Sequence, residues 1–386
     1  MSSSLKYVSL YENSGYGIAA KLYLKALLNS DIDVTWTPMV RGKGIGMTYE
    51  PYQKSEIGES ELDSICNKPI EYDTVLVHTI PEFFSYWREQ EPDKYLIGYT
   101  VWETTKPPDH WKDLINQLDH LLVPTLWNKK IFREHGIIIP IDVLPHMSEF
   151  EGIPLQNEEL LDETNDRFLF YIISTWTERK AIWKLIDAYV KAFNKNDHVE
   201  LLIKTSKGDM RNPRNILLRY LGYTYQPVRK TFKNYLKRFN NHPKISLVAD
   251  ESMSKEYIHQ LHTRGDCYVS LCRGEGWGIG SFEAARFGKP VIMTGFGGQT
   301  DYLQPEYSWL VDYELIPVVD KNAPKSYGSD QNWAEPNIEQ AAEFMRYVYE
   351  HQEEAKRKGE KLKEYVMENF SNERTAGKLI QFLRSV

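Results

Sequence analysis

Short apolar runs alternate along this chain with longer stretches of 3.6-residue period, and the pattern occurs twice. In the first half, residues 7–10 read as a strand. A glycine-containing loop follows at 11–17, then a helical stripe through Ile18, Leu22 and Ala26. Further strand-like runs fall at 34–36, 74–78, 96–100, 120–123 and 141–144, with helical patterns between most of them. Strand and helix periods in alternation are the signature of βαβ units, whose strands lie parallel because each crossover helix returns the chain to the same edge. Around 149–167 the character changes: Gly152, Pro154 and the acids Glu158, Glu159, Asp162 and Glu163 read as a linker. Alternation then restarts with strands at 168–173, 199–203, 245–248, 267–271 and 290–293, and an apolar stripe at Ile182, Leu185, Ile186, Tyr189, Val190 and Phe193. The expectation is an α/β chain of two tandem βα repeats. At roughly 150 residues per domain, 386 residues have room for both.

Composition narrows the function classes. Apolar residues make up 41% and charged residues 26%, a globular balance. No run approaches the ~18 apolar residues of a membrane span. The first residues lead directly into a strand-like segment, so no secretory signal is expected and the location reads as cytoplasmic. Three scattered cysteines, Cys66, Cys267 and Cys272, suit neither a disulfide framework nor a thiolate metal cage. A net charge of −7 argues against nucleic acid as the partner. The 25 tyrosines and 10 tryptophans would suit sugar stacking, but core packing uses them equally well.

One passage carries chemistry. Glu275-Gly276-Trp277-Gly278-Ile279-Gly280-Ser281-Phe282-Glu283 follows a strand, is glycine-rich, and runs into a helix read as starting near Ser281. Free backbone amides at a helix N-terminus favour an anion such as phosphate. Gly288 then stops the helix and Pro290 opens the next strand, before a second glycine turn at 295–301. Glu275 would stand at the carboxyl edge of the sheet, where open α/β sheets bind ligands. Glu283, read in the first helical turn, could accept two hydrogen bonds from a ribose diol. On the residues alone, a helix-supporting Glu283 and a solvated loop acid at Glu275 fit as well.

The run E-G-W-G-I-G-S-F-E-A, with G-K-P-V-I and G-G-x-x-D after it, resembles the Glu-x7-Glu donor-site signature of glycosyltransferase family 4. The likeness extends to Ser14-Gly15-Tyr16-Gly17-Ile18-Ala19 and to Thr177-Glu178-Arg179-Lys180-Ala181, which is similar to the family's Arg-Lys-Gly motif. The resemblance implies the GT-B fold: two Rossmann-like domains with parallel sheets facing an interdomain cleft. The expected boundaries are an acceptor-side domain at 1–155, a donor-binding domain at 156–368 and a helix at 369–386 returning to the first domain. It also implies retaining transfer of a hexose from a nucleoside diphosphate sugar, of the GDP-mannose or UDP-hexose class, to a hydroxyl acceptor such as a glycan. A 2-epimerase of the same fold and a non-catalytic nucleotide-sugar binding module are the alternatives.

Residue roles follow from that resemblance. Glu275 would lie beside the transferred sugar, and Lys180 would neutralise the leaving phosphate. Glu283 would hold the ribose, and the amides of Gly278, Ile279 and Gly280 the diphosphate. Gly15 and Gly17 would let the first loop approach the donor, although a plain βα turn explains them too. Two departures matter. Many relatives carry Arg where Ser174 stands, and Lys204 could supply that charge. A histidine common after the strand at 96–100 is absent, so Trp102 or Glu103 would take its contact with donor or acceptor. His78 and His146 follow strand-like runs and could line the cleft or simply pack.

With a lysine on the phosphate, neither metal nor other cofactor is expected, and Asp31-Ile32-Asp33 sits at the wrong sheet edge for an acid-x-acid metal site. Finally, ten basic residues against one acid, Asp209, occupy 204–238. Such a segment reads as a solvated helical insertion, or as a patch for phosphorylated acceptors or anionic headgroups.

Overall fold

A computed structural model describes residues 4–42, 48–152, 166–213, 225–250, 253–323 and 325–386. The expected boundary at 155, the acidic stretch from Glu158 to Glu163, and Arg214 and Arg219 of the basic segment lie outside these residues. The chain divides into two units: Met1–Trp102, Pro107–Glu151 and Asn369–Val386 form unit 1, and Glu103–Lys106 with Gly152–Glu368 form unit 2.

Unit 1 holds β1 (Ser4–Leu10), β2 (Asp33–Arg41), β3 (Tyr49–Pro51), β4 (Thr74–His78), β5 (Tyr95–Tyr99), β6 (His120–Val123) and β7 (Ile141–Val143). They form one sheet in the order β3-β2-β1-β4-β5-β6-β7. Every neighbour pair is parallel except β2 with β3. The crossovers include α1 (Gly15–Leu28), α2 (Phe84–Gln90), α3 (Trp111–Asn116) and α4 (Leu126–Glu134). Helices on a parallel sheet bury its strands, which explains the apolar runs that made them legible. From β1 and β4 the strand order runs outward in both directions, so the switch point lies between them.

Helix α1 starts three residues earlier than its apolar stripe suggested. Ser14 caps it, its hydroxyl accepting from the Gly17 amide at 3.4 Å. Gly15 and Gly17 therefore lie in the first helical turn rather than in a loop free to reach a ligand. A Cβ on Gly17 would stand 1.9 Å from the Glu12 carbonyl oxygen, so the turn itself requires the glycine. The inward face of α1 (Ala20, Tyr23, Leu24, Leu27) shares a core with Leu379 and Leu383 of the terminal helix Asn372–Leu383. Trp102 is also core in this unit. Its ring meets Trp111 edge-on at 4.7 Å and its amide donates to Asn128 Oδ1 at 2.8 Å, so it is covered rather than offered to a sugar.

At the unit 1 switch point the side chains are aromatic. The Tyr7 hydroxyl pairs with His78 Nδ1 at 2.8 Å, and the Tyr23 and Tyr99 hydroxyls meet at 3.1 Å. The His78 and Tyr99 rings lie 4.1 Å apart, with His146 Nδ1 at 3.4 Å from the Tyr99 hydroxyl. Burial holds His78 well below the ordinary imidazole pKa and His146 down to about 3, so both are neutral core members.

Unit 2 opens with β8 (Phe168–Ile173), α5 (Ile182–Ala192), β9 (Val199–Thr205), β10 (Gly208–Pro213) and β11 (Tyr225–Pro227). It continues with α6 (Val228–Leu236), β12 (Lys244–Ala249), α7 (Lys255–Arg264), β13 (Cys267–Ser270) and α8 (Ile279–Arg286). Then come β14 (Val291–Thr294), β15 (Trp309–Val311), β16 (Tyr313–Pro317), β17 (Asn332–Pro336), α9 (Ile338–Glu350) and α10 (Gln352–Asn369). The main sheet, β12-β9-β8-β13-β14-β15, is parallel throughout, with its switch point between β8 and β13. Two antiparallel pairs, β10 with β11 and β16 with β17, stand apart from it. Among the described residues of the basic insertion, the helix is α6. The first part of the insertion is a strand pair whose tight approach, with Gly208 against Tyr225, leaves no room for a side chain.

Candidate active site

Two loops leave the carboxyl edge of the unit 2 sheet at its switch point, one after β8 and one after β13. Each carries charge of opposite sign, so their meeting is electrostatic. The first brings Arg179 and Lys180, and the second brings Glu275. The Lys180 ammonium donates to Glu275 Oε1, and Arg179 Nη1 donates to Glu275 Oε2 at 3.1 Å. Backbone contacts lock the loops together: the Arg273 amide donates to the Arg179 carbonyl at 2.7 Å, and Arg179 Nη1 donates to the Gly274 carbonyl at 2.7 Å. Glu275 is 8% exposed. Burial alone would raise its pKa, but the Lys180 and Arg179 charges overcome it and hold the carboxyl below its usual range. It is a buried, ionised carboxylate.

Arg179 had no role in the sequence reading, yet it is the centre of the cluster. Its Nη2 lies 3.4 Å from Glu103 Oε1, while the Tyr327 hydroxyl donates to Glu103 Oε2 at 3.2 Å. Burial opposes the charge on Arg179, and Glu103, Tyr327 and Glu275 more than restore it. Glu103 belongs with unit 2, and its carboxylate is engaged by Arg179 and Tyr327. Its backbone explains a glycine as well, since a Cβ on Gly274 would lie 2.0 Å from the Glu103 carbonyl oxygen. The only available sequence signal for Arg179 was its place beside Lys180.

The loop after β8 ends in an unusual conformation. Ala181 has φ +44°, in the left-handed region that glycine favours. This is where the similar Arg-Lys-Gly motif has its glycine. The Lys180 amide donates to Thr177 Oγ1 at 3.1 Å and the Ala181 amide to the Thr177 carbonyl, closing the turn that aims Lys180 at Glu275.

Beyond Glu275, Gly278 turns the chain at φ +85° and caps α8, which begins at Ile279. The Tyr302 hydroxyl donates toward the Trp277 and Gly278 carbonyls, both at 2.9 Å, and fixes that turn from behind. Gly278, Ile279 and Gly280 are half-buried at the N-terminal end of α8. A Cβ on Gly280 would stand 2.5 Å from the Tyr268 hydroxyl. Because the helix starts two residues earlier than expected, Glu283 falls in its second turn, buried to 2% exposure. The second glycine turn braces Glu275: the Gly298 amide donates to the Glu275 carbonyl at 2.7 Å, and Gly297 at φ +114° has no room for a Cβ against it. Lys204 lies at the same sheet edge, its carbonyl accepting from the Ser174 amide at 3.0 Å.

The structure thus gathers Lys180, Glu275, Gly278, Ile279, Gly280 and Lys204 at one edge, with Glu283 a turn along α8. Gly15, Gly17 and Trp102 belong to unit 1. Among the described residues no group of three or more His, Cys, Asp and Glu side chains is arranged to hold a metal ion. Asp31 and Asp33 are engaged separately, by Arg384 and Lys68, each at 2.6 Å. Among the described residues no helix is long and apolar enough to cross a membrane.

The family-model match falls within this half. Residues 177–316 match the family model for glycosyl transferases group 1. A glycogen synthase of Dechloromonas aromatica (strain RCB) is 26% identical over 147 residues, which is 38% of this chain. The matched stretch spans about a quarter (26%) of that protein. In three dimensions the chain is similar over its whole length to Anabaena HepE, solved with UDP and glucose, covering 100% of each chain with a TM-score of 0.71 at 12% identity. Sucrose-phosphate synthase from Thermosynechococcus elongatus matches with a TM-score of 0.71 at 13% identity, covering 99% of this chain and 98% of that one. The fold is the α/β GT-B type. The matched segment contains Lys180, Glu275 and Glu283, and over that segment the chain is similar to glycosyl transferases group 1.

Proposed function

We propose that this protein transfers a hexose, with retention, from a nucleoside diphosphate sugar to a hydroxyl acceptor. One observation carries the reading: a buried, ionised Glu275 held by Lys180 and Arg179 at the unit 2 switch point, three residues before the half-buried N-terminal end of α8. Glu275 sits beside the sugar and opposes the positive charge that grows on the anomeric carbon as the leaving group departs. Lys180 has two anions to serve: the carboxylate it meets here and the diphosphate when donor is bound. Arg179 keeps Glu275 ionised when Lys180 turns to the phosphate. The amides of Gly278, Ile279 and Gly280 receive the diphosphate, and Glu283 the ribose. With Lys180 and Lys204 supplying positive charge, the reaction runs without a metal ion or other cofactor.

The donor is of the GDP-mannose or UDP-hexose class and the acceptor a glycan or other hydroxyl compound, handled in the cytoplasm. The exposed basic residues of α6 and its end (Arg229, Lys230, Lys233, Lys237, Arg238) provide a contact for anionic headgroups. Lys207 and Arg211 do not contribute to that face, being paired with Asp250 at 3.2 Å and Asp209 at 3.2 Å.

Product analysis with labelled GDP, UDP and ADP sugars tests the proposal. Label joined to acceptor with the donor's anomeric configuration is the expected result. An epimer or free nucleotide formed without acceptor would indicate the epimerase, and binding without turnover a binding module.

A further inference from the structure

A second charged hollow lies in unit 2, lined in part by Glu178 and Arg273 of the loops that carry Lys180 and Glu275. It has a volume of about 360 Å³ and is lined, among the described residues, by Glu178, Arg211, Arg273, Val319, Lys321 and Asn322. That volume lies near the lower end of the range for small-molecule pockets, and it exceeds what an inorganic ion alone needs.

Its two arginines are set in place from behind. Arg211 Nε donates to the buried Asp209 at 3.2 Å, and its guanidinium lies over the Trp183 ring at 4.0 Å. Arg273 donates from Nε to Glu335 Oε2 at 2.9 Å, with Nη2 on the same oxygen at 2.8 Å, and packs over Trp333 at 5.0 Å. Guanidinium groups held on ring faces and by inner nitrogens keep their outer N–H groups aimed in one direction. Those outer groups are held only loosely. Arg273 Nη1 lies 3.4 Å from Glu178 Oε2 and Arg211 Nη1 lies 3.9 Å from Glu178 Oε1, against about 2.7–2.9 Å for a well-made charge-assisted bond. Lys321, exposed at the rim, makes no ion pair among the described residues. Asn322 fixes the rim by donating to the Met210 and Arg211 carbonyls at 3.0 and 2.9 Å.

We propose that this hollow binds a small phosphate monoester, with Arg211, Arg273 and Lys321 around the phosphate and Glu178 as the internal anion it displaces. The outer N–H groups of two guanidinium groups together with an ammonium suit a tetrahedral dianion better than a single carboxylate. Glu178 stands between the two guanidinium groups as a stand-in anion at long range. Burial raises its pKa against the pull of Arg211 and Arg273, and the neighbouring Asp320 and Asp209 add to the rise, so the pocket holds this carboxylate poorly. The site does not depend on the transfer reaction, because none of its lining residues is among those assigned to donor or sugar.

Calorimetric titration of the full chain at constant ionic strength tests it, with inorganic phosphate, glycerol phosphate and acetate as probes. The expected order is glycerol phosphate and phosphate well ahead of acetate. Lys321→Ala, a rim change that leaves the packing intact, should weaken phosphate roughly tenfold, and Arg273→Gln should weaken it further. Glu178→Gln should tighten it several-fold, an outcome a merely structural ion cluster would not give. No saturable heat with either phosphate, or phosphate affinity unchanged in both K321A and E178Q, overturns the proposal. Acetate binding as well as phosphate overturns the phosphate assignment.

Discussion

The two switch points of this chain occupy the same place in two similar sheets and are filled in opposite ways. Between β1 and β4, unit 1 places rings: Tyr7, Tyr23, Tyr99, His78 and His146, neutral and linked by hydrogen bonds between them. Between β8 and β13, unit 2 places charges: Arg179, Lys180, Glu275 and Glu103. The backbone geometry that makes a sheet edge a ligand site is common to both. What differs is whether the side chains there can answer charge that appears and disappears during a reaction. Neutral rings packed on one another cannot, whereas a carboxylate shared by two cations can exchange one of them for a ligand. The fold supplies two candidate edges, and the loop residues make one of them charged.

Breaking the charged edge should have the largest effect. Glu275→Ala is expected to lower transfer by about 10³-fold or more while nucleotide binding changes little, read by turnover of labelled donor and by calorimetry. Full turnover in that variant would remove Glu275 from the reaction. Next comes Arg179→Gln, which leaves Glu103 and Glu275 buried with one cation fewer. A loss of about 3–5 kcal/mol in denaturant stability is expected, together with an upward move of the acidic limb of the rate–pH profile as Glu275 takes up a proton more easily. If that limb stays in place, Arg179 merely braces the loops.

The ring-filled edge should respond more mildly. Tyr7→Phe leaves His78 Nδ1 without its partner and should cost about 1–3 kcal/mol by urea titration, without displacing the rate–pH profile. Acid should separate the edges further. Buried His78 and His146 have depressed folded-state values, so their contribution is complete above the unfolded histidine pKa, near 6.5, and is lost as pH falls below it. The expected slope is up to ~1.4 kcal/mol per pH unit for each histidine, with His262 of unit 2 adding another. Glu275 is also depressed, but its contribution is lost only below the ordinary carboxylate range. His146→Gln should flatten the slope between pH 6.5 and 5 by about one proton, measured from denaturation midpoints. The smallest effect belongs to Ala181→Gly. It relieves the left-handed φ at the loop carrying Lys180, offset by glycine's backbone entropy, for a gain of at most ~1 kcal/mol.

Much of the fold was legible because parallel strands buried on both faces are written as apolar runs, as at β4 and β8. The antiparallel pairs β10–β11 and β16–β17 were not, since strands of three to six residues outside the main sheet leave little periodicity. At the site, the glycines around α8 and the acid before them could be read because their spacing is local. Arg179 could not, because its importance arises where residues 103, 179, 275 and 327 meet, far apart in sequence. The partners of Trp102 and Glu103 were hidden for the same reason: Asn128 and Trp111 hold one, and Arg179 and Tyr327 the other, and only the fold brings these together.

The terminal helix Asn372–Leu383 has a consequence for the order of synthesis. Leu379 and Leu383 complete the core against α1, yet Gly152–Glu368 intervene before they are made. At ~5–20 residues per second, this interval lasts on the order of ten to forty seconds. During that time the nascent first unit carries an uncovered apolar stripe on α1 while the second unit can already fold. A ribosome-bound chain stopped before residue 369 should therefore hold a protected unit 2 beside a unit 1 open to protease and to chaperones, and release of the last helix would act as its closing step.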